Sequence, residues 1–146
     1  MTAPGQPPGR LLVVSAHAAD FVWRAGGYIA LTAAAGGEAH VVCLSFGERG
    51  ESPGAWKQPG MTLERVKEIR KAEAEAAGAE LGATMRFLDK GDYPLPSGED
   101  MLLELAELMR EIVPGVILEE FSQDLAHRPI LAPRGQVTIR DRASSN

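Results

Sequence analysis

The chain has 146 residues, 45% of them hydrophobic and 24% charged, with a formal net charge of −5. That length suits one domain with a real core, since a chain of this size buries roughly 68–70% of its unfolded surface. The acidic balance argues against a nucleic-acid partner, because a phosphate backbone calls for a basic footprint, and no stretch reaches the ~20 apolar residues of a membrane span.

Residues 1–9 are rich in Pro and Gly and lack the charged and apolar regions of a signal peptide, so they are expected to form a disordered leader. Arg10 to Ser15 is a short, nearly continuous apolar run after that break and predicts a buried strand. Phe21 to Ala35 follows with helical spacing and ends at Gly36-Gly37. Between strand and helix stand His17 and Asp20. An imidazole and a carboxylate suit a first-row metal such as zinc, and the C-terminal end of a strand is where ligands sit in open α/β sheets. The plainer role for Asp20 is the N-cap of the helix. Gly26-Gly27 lie inside the helical pattern at a cost of ~1 kcal/mol each against alanine, which predicts a close approach at that point.

Glu38 to Ser45 predicts a second strand, completing a right-handed βαβ unit. Within it, His40 is expected at the surface or rim and Cys43 in the core. A lone cysteine forms no internal disulfide and fits a reducing cytoplasm, the compartment expected here. Phe46 to Gly60 is a Gly- and Pro-containing loop that should overhang the same edge as His17. Met61 to Leu81 predicts a helix capped by Thr62, with an apolar stripe of Leu63, Val66, Ile69 and Ala76-Ala77. Thr84 to Leu88 predicts a third strand, followed by Asp89 and Asp92. Both are candidates for an outer shell or a substrate loop, and a simple turn is the plainer role of Asp92. Glu99 to Ile112 predicts an amphipathic helix with Met101, Leu102, Leu105, Leu108 and Met109 inward, and Val116 to Leu118 opens a fourth strand. The pattern then fades, so residues 10–118 read as the domain and 119–146 as a divergent tail.

Ala16-His17-x-x-Asp20, with Gly26-Gly27 beyond it, resembles the signature of the PIG-L/LmbE family of zinc-dependent enzymes, mostly N-deacetylases of amino sugars, whose usual motif is Ala-His-Pro-Asp-Asp. The resemblance implies an α/β, Rossmann-like three-layer fold with a mostly parallel sheet, which the unpatterned end could leave incomplete. It implies Zn2+ held by His17 and Asp20. The general-base position is occupied by Ala19 and the proline by Ala18, and an alanine cannot take a proton from water. The longer string from Ser15 to Gly27, together with Cys43 to Ser52, is similar to a narrower branch, the 4-oxalomesaconate hydratases of aromatic-acid catabolism.

From that branch follows an expected activity: a zinc-dependent hydratase, a lyase adding water to an unsaturated di- or tricarboxylate. The alternatives are a zinc-dependent N-deacetylase or a truncated, inactive member of the family. Glu48 is the candidate for the acid/base role that Ala19 cannot fill. Arg49 and Arg24 are candidates for holding a substrate carboxylate. Arg70-Lys71-Ala72-Glu73 resembles an Arg-x-x-Glu element of the family. A third metal ligand is expected in a His-containing segment after the fourth strand, where His127 is the candidate. A well-patterned first part and an unpatterned end together suggest a shortened or frameshifted version of a longer protein. The expected partner is a small-molecule carboxylate, and a homo-oligomer is compatible with the chain.

Overall fold

The computed structural model describes residues 9–95, 98–120 and 137–140, with backbone alone for Glu120 and for 137–140. The expected leader, apart from Gly9, and most of the expected tail lie outside the described residues.

Among the described residues, five strands form one parallel sheet in the order β3-β2-β1-β4-β5. They are β1 (Arg10–Ser15), β2 (Glu38–Cys43), β3 (Ala83–Phe87), β4 (Val116–Glu120) and β5 (Val137–Arg140). β1 is central, and its run Leu11 to Ser15 is buried throughout, as expected of a parallel strand covered on both faces. Val13 stands opposite Val41 on one side and Leu118 on the other. Strand order first runs outward from β1 through β2 to β3, and the chain then returns to β4 on the other flank of β1. This reversal creates a crevice at the C-terminal ends of the strands beside β1, the usual ligand position in such sheets.

The connecting helices follow from that order. α1 (Asp20–Ala34) and α3 (Leu63–Leu81) pack on one face, where Phe21, Ala25, Ile29 and Ala74 meet Leu11, Val13, Val41 and Cys43. α4 (Glu99–Ile112) packs on the other, where Met101, Leu105, Leu108, Met109 and Ile112 meet Leu12, Val14, Val42, Leu44 and Ile117. Right-handed crossovers put helices on opposite faces when the direction of strand addition reverses. Phe21 is completely buried, worth about 1.5–3 kcal/mol. It therefore fixes the first turn of α1, and with it Asp20.

Several details differ from the sequence reading. α1 begins one residue earlier than expected, its N-cap is Ala19, and no side chain caps it. Asp20 is thus inside the helix, with its carboxylate turned to His17 rather than to backbone N–H groups. A Cβ on Gly26 would meet Leu81 of α3 only at an ordinary van der Waals distance of 3.6 Å, and nothing lies within 4 Å of such an atom on Gly27, so the expected close approach is found at neither glycine. The loop after β2 contains a short helix, α2 (Pro53–Trp56). Ala76 is exposed, and α3 instead turns Val66, Ala74 and Gly78 inward, with Ala77 and Leu81 packed beside the core, because small residues let the helix approach the sheet. His40 lies at the rim, with a side chain 17% exposed, but both its ring nitrogens are buried, and Nε2 is 3.5 Å from Glu38. In the expected tail, 137–140 is an edge strand paired with β4, and β4 itself continues to Glu120.

Candidate metal centre

Three loops leave the C-terminal ends of β1, β2 and β3 and meet at one imidazole. The first is the tight connection Ala16 to Ala19, held down by side chains of the neighbouring strands. The Ser15 hydroxyl donates to the His17 carbonyl at 2.8 Å, and the Ser45 hydroxyl donates to the Ala16 carbonyl at 2.9 Å. Small Ala16 and Ala18 are buried here, so the chain can turn without displacing the core. The result aims the His17 ring back over α1, where Nδ1 lies 3.0 Å from Oδ2 of Asp20.

The second loop brings Glu51. Gly47 sits at φ +65°, a left-handed conformation that favours glycine. A Cβ there would come within 3.1 Å of the Glu51 Cβ and 3.4 Å of the His17 Cβ. The bend at Gly47 therefore brings these two side chains close. Glu51 Oε1 lies 3.6 Å from His17 Nδ1. The bend is secured by the Ser52 hydroxyl donating to the Gly47 carbonyl at 2.8 Å, and by the Glu51 N–H donating to that same carbonyl at 3.2 Å.

From the third loop comes Asp92, whose side chain is 1% exposed. Its Oδ1 lies 3.3 Å from His17 Nε2, and its Oδ2 accepts the backbone N–H of Arg49 at 3.1 Å and of Gly50 at 2.9 Å. The ring of Tyr93 lies directly on Gly50, where a Cβ would be only 2.6 Å from the ring.

Among the described residues, His17, Asp20 and Glu51 form a group able to hold a metal ion, with one donor atom from each within 4.8 Å of the others. One imidazole and two carboxylates is a donor set that zinc accepts. In the metal-free protein the same closeness raises the His17 pKa from 6.5 to about 9, chiefly through the hydrogen bond to Asp20, against the opposing effect of burial. Glu51 and Asp92 add smaller favourable charges.

The expected site residues fall in different places. His17 and Asp20 are brought together. Glu48 does not join them in the metal-competent group. It is 1% exposed, and its carboxylate accepts the Phe46 N–H at 3.1 Å, within its own loop. Its carbonyl accepts the Trp56 indole N–H at 2.6 Å, so Glu48 ties the loop together. Arg49 is exposed on the same loop, and Arg24 is exposed one turn into α1. Arg70 pairs with Glu73 at 2.7 Å and reaches the Phe46 carbonyl at 3.5 Å, so the Arg-x-x-Glu element braces the loop from α3. His127 lies outside the described residues. Glu51 was not singled out for the centre by sequence, and Asp92 was a candidate only for an outer shell or substrate loop. The available signal was position alone: each follows a strand's C-terminal end. Burial pushes the Cys43 thiol up to about 12, which keeps it a protonated core residue.

A metal-competent His-x-x-Asp pair at the C-terminal end of the central strand of a parallel α/β sheet defines a family here. The PIG-L family model, described as GlcNAc-PI de-N-acetylase, matches residues 12–128, and the chain belongs to this family. More particularly, it is 52% identical over 118 residues to the 4-oxalmesaconate hydratase of Pseudomonas putida, covering 81% of this chain and 46% of that protein. The crystal structure of GalB, the 4-carboxy-2-hydroxymuconate hydratase of Pseudomonas putida KT2440, matches with a TM-score of 0.74 and 54% identity. That match covers 75% of this chain and 46% of GalB. The N,N'-diacetylchitobiose deacetylase of Pyrococcus horikoshii shares the fold, at a TM-score of 0.67 and 23% identity, over 75% of this chain and 40% of that one. The chain thus spans about half the length of the relatives it matches. No helix among the described residues is long and apolar enough to cross a membrane.

Proposed function

We propose that this chain carries the metal-binding part of a zinc-dependent hydratase that adds water to an unsaturated di- or tricarboxylate. The observation that carries the reading is the convergence of His17, Asp20 and Glu51 in a chain that is 52% identical to a hydratase over 118 residues. His17 and Asp20 would hold the zinc, with His127 as the expected third donor. Bound zinc supplies a Lewis acid that activates water and polarises an oxygen of the substrate.

The rest falls to the side chains. Glu51 is the most exposed of the three donors, at 42% against 20% and 21%, and it sits on a loop rather than a helix. It therefore takes the acid/base role for which the sequence suggested Glu48. Its carboxylate accepts a proton from water as the oxygen bonds to one alkene carbon. It returns a proton to the adjacent carbon, so that it ends as it began. Arg49, on the same loop, and Arg24, on the first turns of α1, hold substrate carboxylates by paired N–H donors. His17 keeps its ring fixed throughout.

A second reading, an N-deacetylase of amino sugars, is favoured by the fold shared with the chitobiose deacetylase. It is opposed by Ala19, which offers no base where the family motif has an aspartate. Zinc-loaded protein separates the two readings. Loss of ultraviolet absorbance from an unsaturated tricarboxylate supports the hydratase. Release of acetate from an N-acetyl amino sugar, with that absorbance unchanged, overturns it.

A further inference from the structure

We propose that the outer face of α1 is where two copies of this chain meet, antiparallel and related by a two-fold axis at Gly27. The inference is independent of the reaction assigned above.

α1 packs Phe21, Ala25, Gly26 and Ile29 against the core. A surface helix ordinarily carries charged side chains on its opposite face, whereas a helix that is apolar all round is a buried one. α3 and α4 follow the first pattern, exposing Glu64, Glu68, Lys71 and Glu75 on the one and Glu99, Glu107 and Arg110 on the other. α1 follows the second. From Ala25 to Gly37 the chain has no charged residue, and the outer face of the helix exposes Trp23 at 87%, Leu31 at 71% and Tyr28 at 42%. Trp23, Gly27 and Leu31 are spaced by four and lie one above the other along the helix. Gly27 weakens the helix, yet nothing lies within 4 Å of the position its Cβ would take. A glycine there gives no packing advantage within one copy, but it does let a second backbone come close.

A surface that matches this one must itself be apolar and uncharged. Among the described residues, the other exposed large hydrophobic side chains, Trp56, Tyr93, Leu103 and Val113, are scattered over α2, α4 and the loops beside it, so α1 is the continuous face of that kind. The face is also its own complement, as a two-fold contact requires. In an antiparallel pair centred on Gly27, Trp23 stands over the partner's Leu31, and Leu31 over the partner's Trp23. Arg24 stands opposite the partner's Ala30, and the two copies of Arg24 are about 9 Å apart along the helices, so no like charges face each other. Trp23, Tyr28, Leu31 and Val22, with the alanines between them, bring on the order of 600 Å² per copy. That is the lower end of specific interfaces and sets dissociation in the micromolar range.

Sedimentation equilibrium on the full chain, from about 1 to 500 μM, is expected to show a reversible monomer–dimer equilibrium. Leu31→Glu should weaken it about tenfold or more, since it places a charge in the apolar centre of the contact. Gly27→Leu separates assembly from folding. Its side chain enters open space in a single copy, and leucine outranks glycine in a helix, so the melting temperature of dilute protein should hold or rise. The same side chain blocks the approach of the two backbones, and the dimer should be lost.

Cysteine cross-linking reads the geometry, and the native Cys43 is buried and stays out of the reaction. Gly27→Cys should form a disulfide between copies, because that position meets itself on the axis. Trp23→Cys alone should not, since its two copies are about 12 Å apart along the helices and a disulfide spans at most about 7 Å between Cα atoms. An equimolar mixture of Trp23→Cys and Leu31→Cys should cross-link one variant to the other. A chain that stays monomeric throughout the concentration range overturns the proposal, as does a dimer that Leu31→Glu leaves intact. Trp23→Cys that cross-links to itself and not to Leu31→Cys overturns it too, because the helices would then run parallel.

Discussion

Nδ1 of His17 and Oδ2 of Asp20 lie 3.0 Å apart, one on the turn after the central strand and the other in the first turn of the helix that follows. In the metal-free protein this pair is a charged hydrogen bond, which is why His17 holds its proton to about pH 9. A folded pKa above the unfolded 6.5 means that the protonated form stabilises the fold. The contribution is full below pH 6.5 and is lost as pH rises to about 9. Stability of the metal-free protein should fall across that window by on the order of 2 kcal/mol. Urea denaturation at a series of pH values measures it, and Asp20→Asn should flatten the slope. Zinc must displace the same proton, so its apparent affinity should instead climb, by about tenfold per pH unit.

Glu48 and Glu51 should respond in opposite ways. Glu48→Ala strands the Phe46 N–H in a buried loop and is expected to cost about 1–3 kcal/mol. Glu51→Gln touches a partly exposed side chain and should change stability by no more than about 0.5 kcal/mol. It should also lower turnover about 100-fold or more if this carboxylate carries the proton. Thermal melts and steady-state rates on both variants decide between them. Full turnover in Glu51→Gln would return the acid/base role to another group.

Gly47→Ala tests the geometry that brings two loops together. The left-handed backbone alone disfavours the substitution by about 1–2 kcal/mol. The new methyl would also press on Glu51 and His17. Lower stability should therefore be accompanied by weaker zinc binding, read by chelator competition. A destabilised variant with unchanged zinc affinity would show that the Glu51 loop is not needed to form the centre.

Metal removal gives a simpler check. A ligand that binds only the folded chain raises stability by mass action, by about 2.7 kcal/mol at a hundredfold excess over its dissociation constant. Zinc should raise the melting midpoint and a chelator should lower it, and His17→Ala should abolish the response. A midpoint indifferent to zinc would count against the centre.

The order of elements could be read along the chain because each one announces itself locally. The run Leu11 to Val14 has no polar side chain to expose, Thr62 accepts the Arg65 N–H as a cap, and the period of Met101, Leu105, Leu108 and Met109 matches one helical face. His17 and Asp20 were visible for the same reason: they stand three positions apart, and a turn into a helix brings such neighbours together. Strand order, and therefore which loops share an edge, has no local signature. Glu51 and Asp92 are 34 and 75 residues from His17 in the chain and meet it only because β2 pairs in register with β1 and β3 with β2. Reading along the chain chose Glu48 over Glu51, yet the positive φ at Gly47 turns one glutamate into the loop's interior and the other toward the imidazole. Local chemistry supplied the ligand pair; backbone direction, set by long-range pairing, chose which other carboxylates surround it.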